Sequence, residues 1–383
     1  MGRSAGPARG ASGVRVVAIL LAGSLASACT DGGGAAEPSN PPPSTPAPTA
    51  DVTPTGAVGA PDLGAPQVVA TGLDVPWGLA ILPDGDALVG ERDNGRILRV
   101  AAEGGEAREV YQVPGVVSRS EGGLLGLALS PDYDRDRFVY AYVTGESDNR
   151  IVRFRLAERT APEVIFDGVA KANIHNGGRI GFGPDGMLYV GTGDVSRPDV
   201  SQDPASPNGK ILRLTPEGEP APDNPTAGSP VYSLGHRNVQ GLAWDEAGRL
   251  FAVEFGQDRY DEVNLIGPGR NYGWPEVEGA GGTGGGRFTE PVITWSTDEA
   301  SPSGAAITAG TLYVAALRGQ RLWTVPLLDG RTGEPRAELR GEYGRLRTVV
   351  VAPDGALWVT TSNTDANGDP RDGDDRVLRF PAR

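Results

Sequence analysis

The sequence is poor in cysteine, histidine and lysine. Its 383 residues include one cysteine, Cys29, and two histidines, while lysine occurs at Lys171 and Lys210 alone. A single cysteine excludes an internal disulfide framework, so an exported domain would depend on packing and bound metal for its stability. The net charge of −14 at pH 7 argues against nucleic acid as a partner, because phosphates repel an acidic surface.

The first 28 residues are organised like a secretory signal peptide. Arg3, Arg9 and Arg15 precede a short apolar run at 16–25, and small residues follow directly before Cys29. The run is too short to span a bilayer permanently. The placement of Cys29 is typical of a bacterial lipoprotein whose thiol carries a lipid; a buried free cysteine is the alternative. We therefore expect an extracytoplasmic protein that is anchored to the cell membrane by its lipid.

Residues 29–66 consist mainly of Gly, Ala, Pro, Ser and Thr. Such a segment has too little apolar surface to offset its chain entropy, so we expect a disordered tether. Residues 67–383 remain for a folded domain.

Short alternating apolar runs between glycine-rich turns recur in this domain, and long stretches with a helical period are absent. A unit with a small or apolar run, a Pro-Asp-Gly-type turn and a second apolar strand returns six times. The units begin near Gly78, Gly126, Ile180, Gly241, Gly304 and Val349. An antiparallel meander of this size buries both faces only by stacking on its neighbours. The sequence therefore predicts an all-β fold, a six-bladed β-propeller of four-stranded antiparallel blades.

Polar residues beside the first strands of the blades are the candidates for chemistry, because loops at one end of a propeller channel meet there. His175 and His236 each stand in a glycine-rich turn just before such a strand. A lone histidine is more often structural, but the Asn and paired glycines that follow His175 favour a catalytic role. Arg345 and Arg347 alternate on one strand, where two guanidinium groups on one face would bind a polycarboxylate.

Two acidic loops, 254–264 and 365–375, are rich in the oxygen ligands that calcium prefers. Neither has the spacing of an EF-hand. An ordinary acidic surface loop is the alternative reading for both.

Several motifs, taken together and in order, resemble the soluble quinoprotein glucose and sorbosone dehydrogenases and the bacterial aldose sugar dehydrogenases. The resemblance covers nearly the whole domain. The segments that carry it are 121–126, His175-Asn176-Gly177-Gly178-Arg179, Gly193-Asp194, 235–241, 261–264, Asn271-Tyr272-Gly273-Trp274-Pro275, 301–304 and 344–347.

The resemblance implies that the protein binds pyrroloquinoline quinone (PQQ) and calcium, and that it oxidises the C1 hydroxyl of aldose sugars to a lactone while hydride passes to the quinone. His175 would be the general base, and an external acceptor would take up the electrons. The residues implied to bind the cofactor are Glu121, Arg237, Asn238, Tyr272, Arg318, Arg345 and Arg347. Those implied to hold calcium are Gly256 and Gln257, through their carbonyl groups, and Glu254 with Asn264 at a second position.

The chain departs from the family pattern at four of these places. Glu121 and Arg318 stand where a glutamine and a lysine are usual, and Gln257 replaces a proline. Ile174 replaces the aspartate that precedes the histidine in the glucose enzyme, so an acid that orients His175 must come from elsewhere, with Asp194 as the candidate.

Two other functions are compatible with a lipid-tethered propeller. One is non-catalytic binding of carbohydrate or protein, and the other is a calcium-dependent lactonase. A gathering of Arg237, Arg345 and Arg347 in one channel would favour the dehydrogenase, because neither alternative needs cations there.

Overall fold

The computed structural model describes residues 59–158, 160–328 and 331–383. In this part of the chain the structure is built almost wholly of antiparallel β-strands in six sheets. The helical segments are a four-residue α-helix, α1 (Tyr133–Asp136), and a 3-10 turn at Pro198–Ser201. The all-β, six-bladed β-propeller predicted from the sequence is confirmed. The predicted signal peptide and Cys29 lie outside the described residues.

The strands follow the chain blade by blade, after a first strand β1 (Gln67–Ala70). Blade 1 contains β2 (Pro76–Ile81), β3 (Ala87–Glu91), β4 (Arg96–Val100) and β5 (Arg108–Gln112). Blade 2 contains β6 (Leu124–Leu129), β7 (Phe138–Thr144), β8 (Asn149–Arg155) and β9 (Glu163–Val169). Blade 3 contains β10 (Ile180–Phe182), β11 (Leu188–Gly191), β12 (Lys210–Leu214) and β13 (Val231–Leu234).

The second half of the ring repeats this arrangement. Blade 4 contains β14 (Val239–Trp244), β15 (Leu250–Glu254), β16 (Tyr260–Ile266) and β17 (Ile293–Ser296). Blade 5 contains β18 (Pro302–Thr308), β19 (Thr311–Ala316), β20 (Arg321–Leu328), β21 (Arg331–Thr332) and β22 (Arg336–Glu338). Blade 6 contains β23 (Leu346–Val351), β24 (Leu357–Thr361) and β25 (Val377–Phe380).

The N-terminal strand closes the ring, because β1 pairs with β25 and becomes the outer strand of blade 6. Residues just before β1 also contact the end of the chain. The Asp62 backbone N–H donates to the Pro381 carbonyl at 2.7 Å, and Pro61 forms a β-bridge with Ala382. Residues 59–66, assigned to the tether from their composition, therefore lie against the propeller, since backbone pairing needs no apolar side chains.

The hydrophobic core is divided into six clusters, and each lies between two neighbouring blades. The cluster between blades 1 and 2, for example, joins Leu88 and Ile97 to Leu124 and Val139. Equivalent clusters fill the other five interfaces. Each blade therefore gains its stability from contact with its neighbours, as expected for a radial repeat.

The arginines of the third strands serve the blades rather than a ligand. Arg99 of β4 binds Asp84 and Asp86 at 2.6 Å, around the Pro-Asp-Gly turn that joins the first two strands. Arg213 of β12 makes the same contact with Asp185 at 2.9 Å. These pairs fix each turn to its own blade, which leaves other arginines as candidates for a functional site.

Candidate active site

Loops from all six blades surround a cavity of about 590 Å³ at one mouth of the central channel, here called the upper cavity. Four arginines and two carboxylates are among its lining residues. The charged residues of the lining, together with Trp77 and Gln240, are Trp77, Arg92, Glu121, Gln240, Arg318, Arg345, Arg347 and Asp365. The excess of cations makes the upper cavity suited to an anionic ligand.

His175 lies beside this cavity, and its ring is held by a buried carboxylate. Its Nδ1 is 2.6 Å from Oδ1 of Asp194, which is fully buried. The second oxygen of Asp194 accepts a hydrogen bond from Nε1 of Trp274 at 2.8 Å. Nδ1–H therefore points at the carboxylate, and Nε2, which has no hydrogen-bond partner among the described residues, is left to act as the base.

Burial by itself would raise the pKa of Asp194, but the hydrogen bonds and charges around the carboxylate lower the pKa by more than burial raises it. The hydrogen bond and the charge of His175, together with the hydrogen bonds from Trp274 and the Ser196 backbone, hold the pKa of Asp194 below its usual value. Asp194 is therefore an anion at neutral pH. The carboxylate that orients His175 is therefore that of Asp194, in the turn after β11. It takes the place of the aspartate that Ile174 replaces.

Glu121 is fixed against the backbone of the histidine turn. Its Oε2 accepts the His175 N–H at 2.7 Å, and its own N–H donates to the Asn173 carbonyl at 3.0 Å. His175 has a positive φ of 59°, a conformation that is costly for a residue with a side chain. Glu121 stabilises that turn, and its charge also faces Arg347 and Arg237.

Arg345 and Arg347 enter the cavity together from the start of blade 6. Oδ2 of Asp365 lies 3.1 Å from Arg345 and 3.3 Å from Arg347. Burial lowers the pKa of Arg347 to about 10, so the group still carries its charge at neutral pH. One carboxylate for two guanidinium groups leaves positive charge unbalanced, and the buried Nε of Arg347 has no hydrogen-bond partner among the described residues.

Arg237 and Asn238 lie next to the histidine turn at the start of blade 4. The Arg237 side chain donates to Oε1 of Gln257 at 2.6 Å, and burial lowers its pKa. Oδ1 of Asn238 accepts the Gly177 N–H at 3.0 Å, while its Nδ2 is buried without a partner among the described residues. An unused buried donor at this place fits a ligand that accepts hydrogen bonds.

Of the predicted cofactor-binding residues, Arg318 lines the upper cavity, whereas Arg237, Asn238 and Tyr272 are not among its lining residues. Arg318 is exposed at the rim of the cavity, where it pairs with Asp298 at 2.5 Å. Tyr272 is buried: its hydroxyl donates to the Leu265 carbonyl at 2.7 Å and its ring stacks on His236. Among the described contacts Tyr272 supports the blade, so its role toward a cofactor stays a prediction.

His236 is structural in this fold. It is fully buried, with Nε2 2.8 Å from the Ser233 hydroxyl and Nδ1 2.7 Å from Glu254. The same Glu254 accepts hydrogen bonds from Asn264 and from the Arg237 backbone. Glu254 thus links Asn264, its predicted partner at the second calcium position, to the turn at His236 and Arg237 that precedes β14.

The surroundings of Asn264 fit a cation. Glu262 lies beside it, with its pKa raised by burial and by the negative charge of Glu254. Oδ1 of Asn264 is buried and has no partner among the described residues. No group of three or more His, Cys, Asp or Glu side chains is arranged for metal binding in the part of the chain that the structure describes. A calcium ion here would therefore need the Asn264 oxygen and backbone carbonyls as well.

The turn that carries Gly256 and Gln257 is shaped by one carboxylate. Oε1 of Glu278 accepts the backbone N–H groups of residues 257–260 at 2.7 to 3.2 Å. These four bonds turn the peptide N–H groups toward Glu278, and no described residue donates a hydrogen bond to the carbonyls of Gly256 or Gln257. Such carbonyls suit a hard cation.

The second acidic loop does not resemble the first. Asp365 pairs with the two arginines, and the buried Asp375 accepts hydrogen bonds from Thr361 and Thr364 and from the Asn363 backbone. The carboxylate oxygens of Asp365 and Asp375 already accept hydrogen bonds from other residues of the protein, which favours a structural role over calcium binding for residues 365–375.

The sequence predicts no role for the lining residues Trp77, Arg92 and Gln240, and it points to Asp365 only as part of the second acidic loop. Trp77 and Gln240 belong to the repeated first strands, where the apolar pattern hides them. Arg92 is ion-paired with Asp93 at 2.6 Å. Nothing in the local sequence distinguishes Arg92 from the many arginines of the blades.

Comparison with known proteins gives a consistent result. A profile of the family described as Glucose / Sorbosone dehydrogenase matches residues 73–369. Quinoprotein glucose dehydrogenase B of Acinetobacter calcoaceticus is 33% identical over 251 residues, which is 56% of this chain and 52% of that protein. The chain thus spans about half the length of that relative.

Two further relatives match over most of their length. The aldose sugar dehydrogenase YliI of Escherichia coli is 28% identical, and the match covers 78% of this chain and 90% of that one. The solved PQQ-bound form of an aldose sugar dehydrogenase from Streptomyces coelicolor is 57% identical, with a TM-score of 0.80 over 85% of this chain and 100% of that chain. The profile covers more than half of the sequence, and the chain therefore belongs to the glucose/sorbosone dehydrogenase family of oxidoreductases.

Proposed function

We propose that this protein oxidises aldose sugars at C1 to lactones, with bound PQQ and calcium, and that His175 is the general base. The observation that carries the proposal is the His175–Asp194 pair beside a cavity lined with arginines. The PQQ-bound relative from Streptomyces coelicolor, at 57% identity, supports the choice of cofactor.

The residues around the upper cavity fit a tricarboxylate quinone. Arg345 and Arg347 share one carboxylate, so an anionic ligand would balance their charge. The unpartnered donors Nε of Arg347 and Nδ2 of Asn238 would each gain an acceptor. Arg237 and Arg318 would add positive charge, and one carboxylate oxygen of Glu121 is already held by the His175 N–H.

Calcium would lie against the carbonyls of Gly256 and Gln257, and a second ion beside Glu254 and Asn264. The second position can be tested without turnover. Calcium should raise the melting temperature of the purified protein, and Asn264→Leu should reduce the rise because the variant lacks the side-chain oxygen. An unchanged rise in Asn264→Leu would argue against that second ion.

His175 would take the proton from the C1 hydroxyl on Nε2. PQQ, when bound, would supply the two-electron acceptor for the hydride from C1. Asp194 keeps the proton of the neutral imidazole on Nδ1, so that Nε2 has a lone pair toward the sugar. It then stabilises the imidazolium that forms, while Trp274 holds the other carboxylate oxygen in place.

The test is reconstitution of the purified protein with PQQ and calcium, followed by dye reduction with a panel of aldoses. We expect sugar- and calcium-dependent turnover that His175→Ala abolishes and that Arg287→Ala, an exposed arginine outside the cavity, leaves unchanged. Failure to bind PQQ in a titration would refute the dehydrogenase and leave a carbohydrate- or protein-binding propeller.

We also propose that a lipid on Cys29 anchors the protein to the cell membrane outside the cytoplasm, and that an external acceptor reoxidises the cofactor. The placement of Cys29 after a signal-peptide-like segment supports this. Metabolic labelling with a fatty acid should mark the wild-type protein, and Cys29→Ser should release it from the membrane fraction. A Cys29→Ser protein that stays in the membrane fraction would contradict the anchor.

A further inference from the structure

Arg179 breaks the pattern of the first strands. In blades 1, 2, 4 and 5 the equivalent position is a glycine, and in blade 6 it is Thr348. The glycines are Gly78, Gly126, Gly241 and Gly304. Only blade 3 places a long cationic side chain at this level of the channel.

The guanidinium of Arg179 closes the channel below the upper cavity. Its Nε donates to the Gln240 carbonyl of blade 4 at 2.7 Å, and Nη2 donates to Thr348 Oγ1 of blade 6 at 3.0 Å. It also lies over the ring of Trp77 from blade 1, at 4.2 Å. Trp77 and Gln240 line the upper cavity and Arg179 does not.

A second cavity, of about 450 Å³, opens on the other side of Arg179. We call it the lower funnel; all six first strands contribute to its wall. Its lining residues are 79–81, 127–129, 179–182, 242–244, 305–307 and 349–351. Among these described residues Arg179 alone carries a charge, and the others are apolar or glycine. The volume falls within the range of about 300–1,000 Å³ typical of small-molecule sites.

Arg179 has no counter-ion in the part of the chain that the structure describes. It is 7% exposed, and no carboxylate of the described residues lies within 4.0 Å of it. Burial, together with the charge of Arg347, lowers its pKa to about 9, and Nη1 donates no hydrogen bond to a described residue. A buried cation without a neighbouring negative charge is unfavourable, and an anion that reached Arg179 would recover part of that cost.

We propose that the lower funnel binds a monocarboxylate with a hydrocarbon tail, whose carboxylate pairs with Arg179 and whose tail lies on the apolar wall. The charge of Arg179 selects an anionic head over a neutral or cationic one. Apart from the indole N–H of Trp244, the wall offers no polar side-chain group to a sugar or to a hydrated inorganic anion, and it is large enough for a tail. This site is separate from the proposed PQQ cavity.

The experiment is calorimetric titration of the purified full chain with sodium decanoate below its micelle concentration. We expect saturable binding that Arg179→Met weakens roughly tenfold or more, since a charge-assisted hydrogen bond is lost. Decyltrimethylammonium, with the same tail and the opposite charge, should not bind. Equal decanoate binding by wild type and Arg179→Met, or no saturable binding by wild type, would overturn the proposal.

Arg179→Met could misfold, because Arg179 contacts blades 1, 4 and 6. A second pair of variants therefore tests the site without changing Arg179. Val350 is half-buried in the wall of the funnel. Val350→Asp should weaken decanoate binding by repulsion, whereas Val350→Asn, its neutral match, should bind more tightly than Val350→Asp. Loss of decanoate binding in Arg345→Met would place the acid in the upper cavity instead and would also overturn the proposal.

Discussion

Asp194 and Asp365 are buried carboxylates that have different roles around the upper cavity. Asp194 holds a histidine ring and a tryptophan N–H, so it fixes the direction of a base. Asp365 lies between two arginines and sets the net charge that a ligand meets. Both have pKa values below the usual range, because nearby cations or hydrogen-bond donors outweigh the effect of burial.

Replacing Asp194 by Asn should lower kcat by roughly 10²–10⁴ with little change in KM, because the imidazolium loses its counter-charge and the ring its fixed tautomer. Steady-state dye reduction in the reconstituted enzyme measures both constants. Trp274→Phe is the matched control: it removes one hydrogen bond to Asp194 but keeps the charge, so its kcat should fall less. Equal losses in the two variants would argue against a role for the charge.

Replacing Asp365 by Asn should destabilise the protein without ligand by about 3 kcal/mol at pH 7, because two buried guanidinium groups lose their partner. The folded-state pKa of Asp365 is lowered from 3.8, so its contribution is present above that pH and is lost as pH falls through the folded-state pKa. Urea unfolding at several pH values should therefore show a difference between wild type and variant that shrinks below about pH 4. A difference independent of pH would contradict the ion-pair explanation.

At the scale of elements, the first strands of the blades approach one another closely around the channel. A Cβ on Gly241 would lie 2.3 Å from the Ser303 carbonyl oxygen, and one on Gly126 would lie 2.3 Å from that of Gly178. Backbone is in the way at both places, and it cannot move aside as a flexible side chain could. The glycines Gly126 and Gly241 of the sequence repeat thus mark close contacts between blades.

Gly241→Ala should consequently destabilise the protein by about 1–3 kcal/mol, as overpacking does in well-packed cores. Gly145→Ala is a suitable control, since its Cβ would meet no atom closer than 3.4 Å. Chemical denaturation of the two variants and the wild type measures the effect. A Gly241→Ala protein as stable as Gly145→Ala would mean that the blades can separate slightly at no cost.

On the scale of the whole molecule, closure of the ring depends on β1. It joins the start of the domain to blade 6, and Val69 and Ala70 bury their side chains between blades 6 and 1. A ring closed in this way couples all six interfaces, because opening one interface exposes the edges of two blades.

Deletion of residues 1–70 should therefore lower the melting temperature by roughly 5 °C or more, since it removes buried apolar surface and a row of backbone hydrogen bonds. Deletion of residues 1–58 is the control, because it keeps β1 and the contact of Asp62 with Pro381. Differential scanning calorimetry compares the two. Equal melting temperatures would show that three strands suffice for blade 6.

Much of the fold could be predicted because a propeller repeats one local pattern. The Pro-Asp-Gly turns, the alternating strands and the first-strand glycines are properties of neighbouring residues, and they return in all or most units. The histidine turn with His175, and Arg345 with Arg347, could be found for the same reason, since they stand at fixed places beside the repeats. The composition of residues 59–66 predicts a tether, because backbone pairing with the chain's end leaves no trace in composition.

The sequence by itself determined the number of blades, the family and the residues that carry the predicted chemistry, because these depend on local spacing and motif order. Only the tertiary structure decided which charges meet: Asp365 reaches two arginines from its own blade, and Trp274 of blade 4 holds the carboxylate of Asp194 in blade 3. It also decided that Arg179 crosses the channel with no counter-ion among the described residues. The Arg179–Thr348 contact joins residues 169 positions apart, and the closure of the ring, not any local pattern, brings these two residues together.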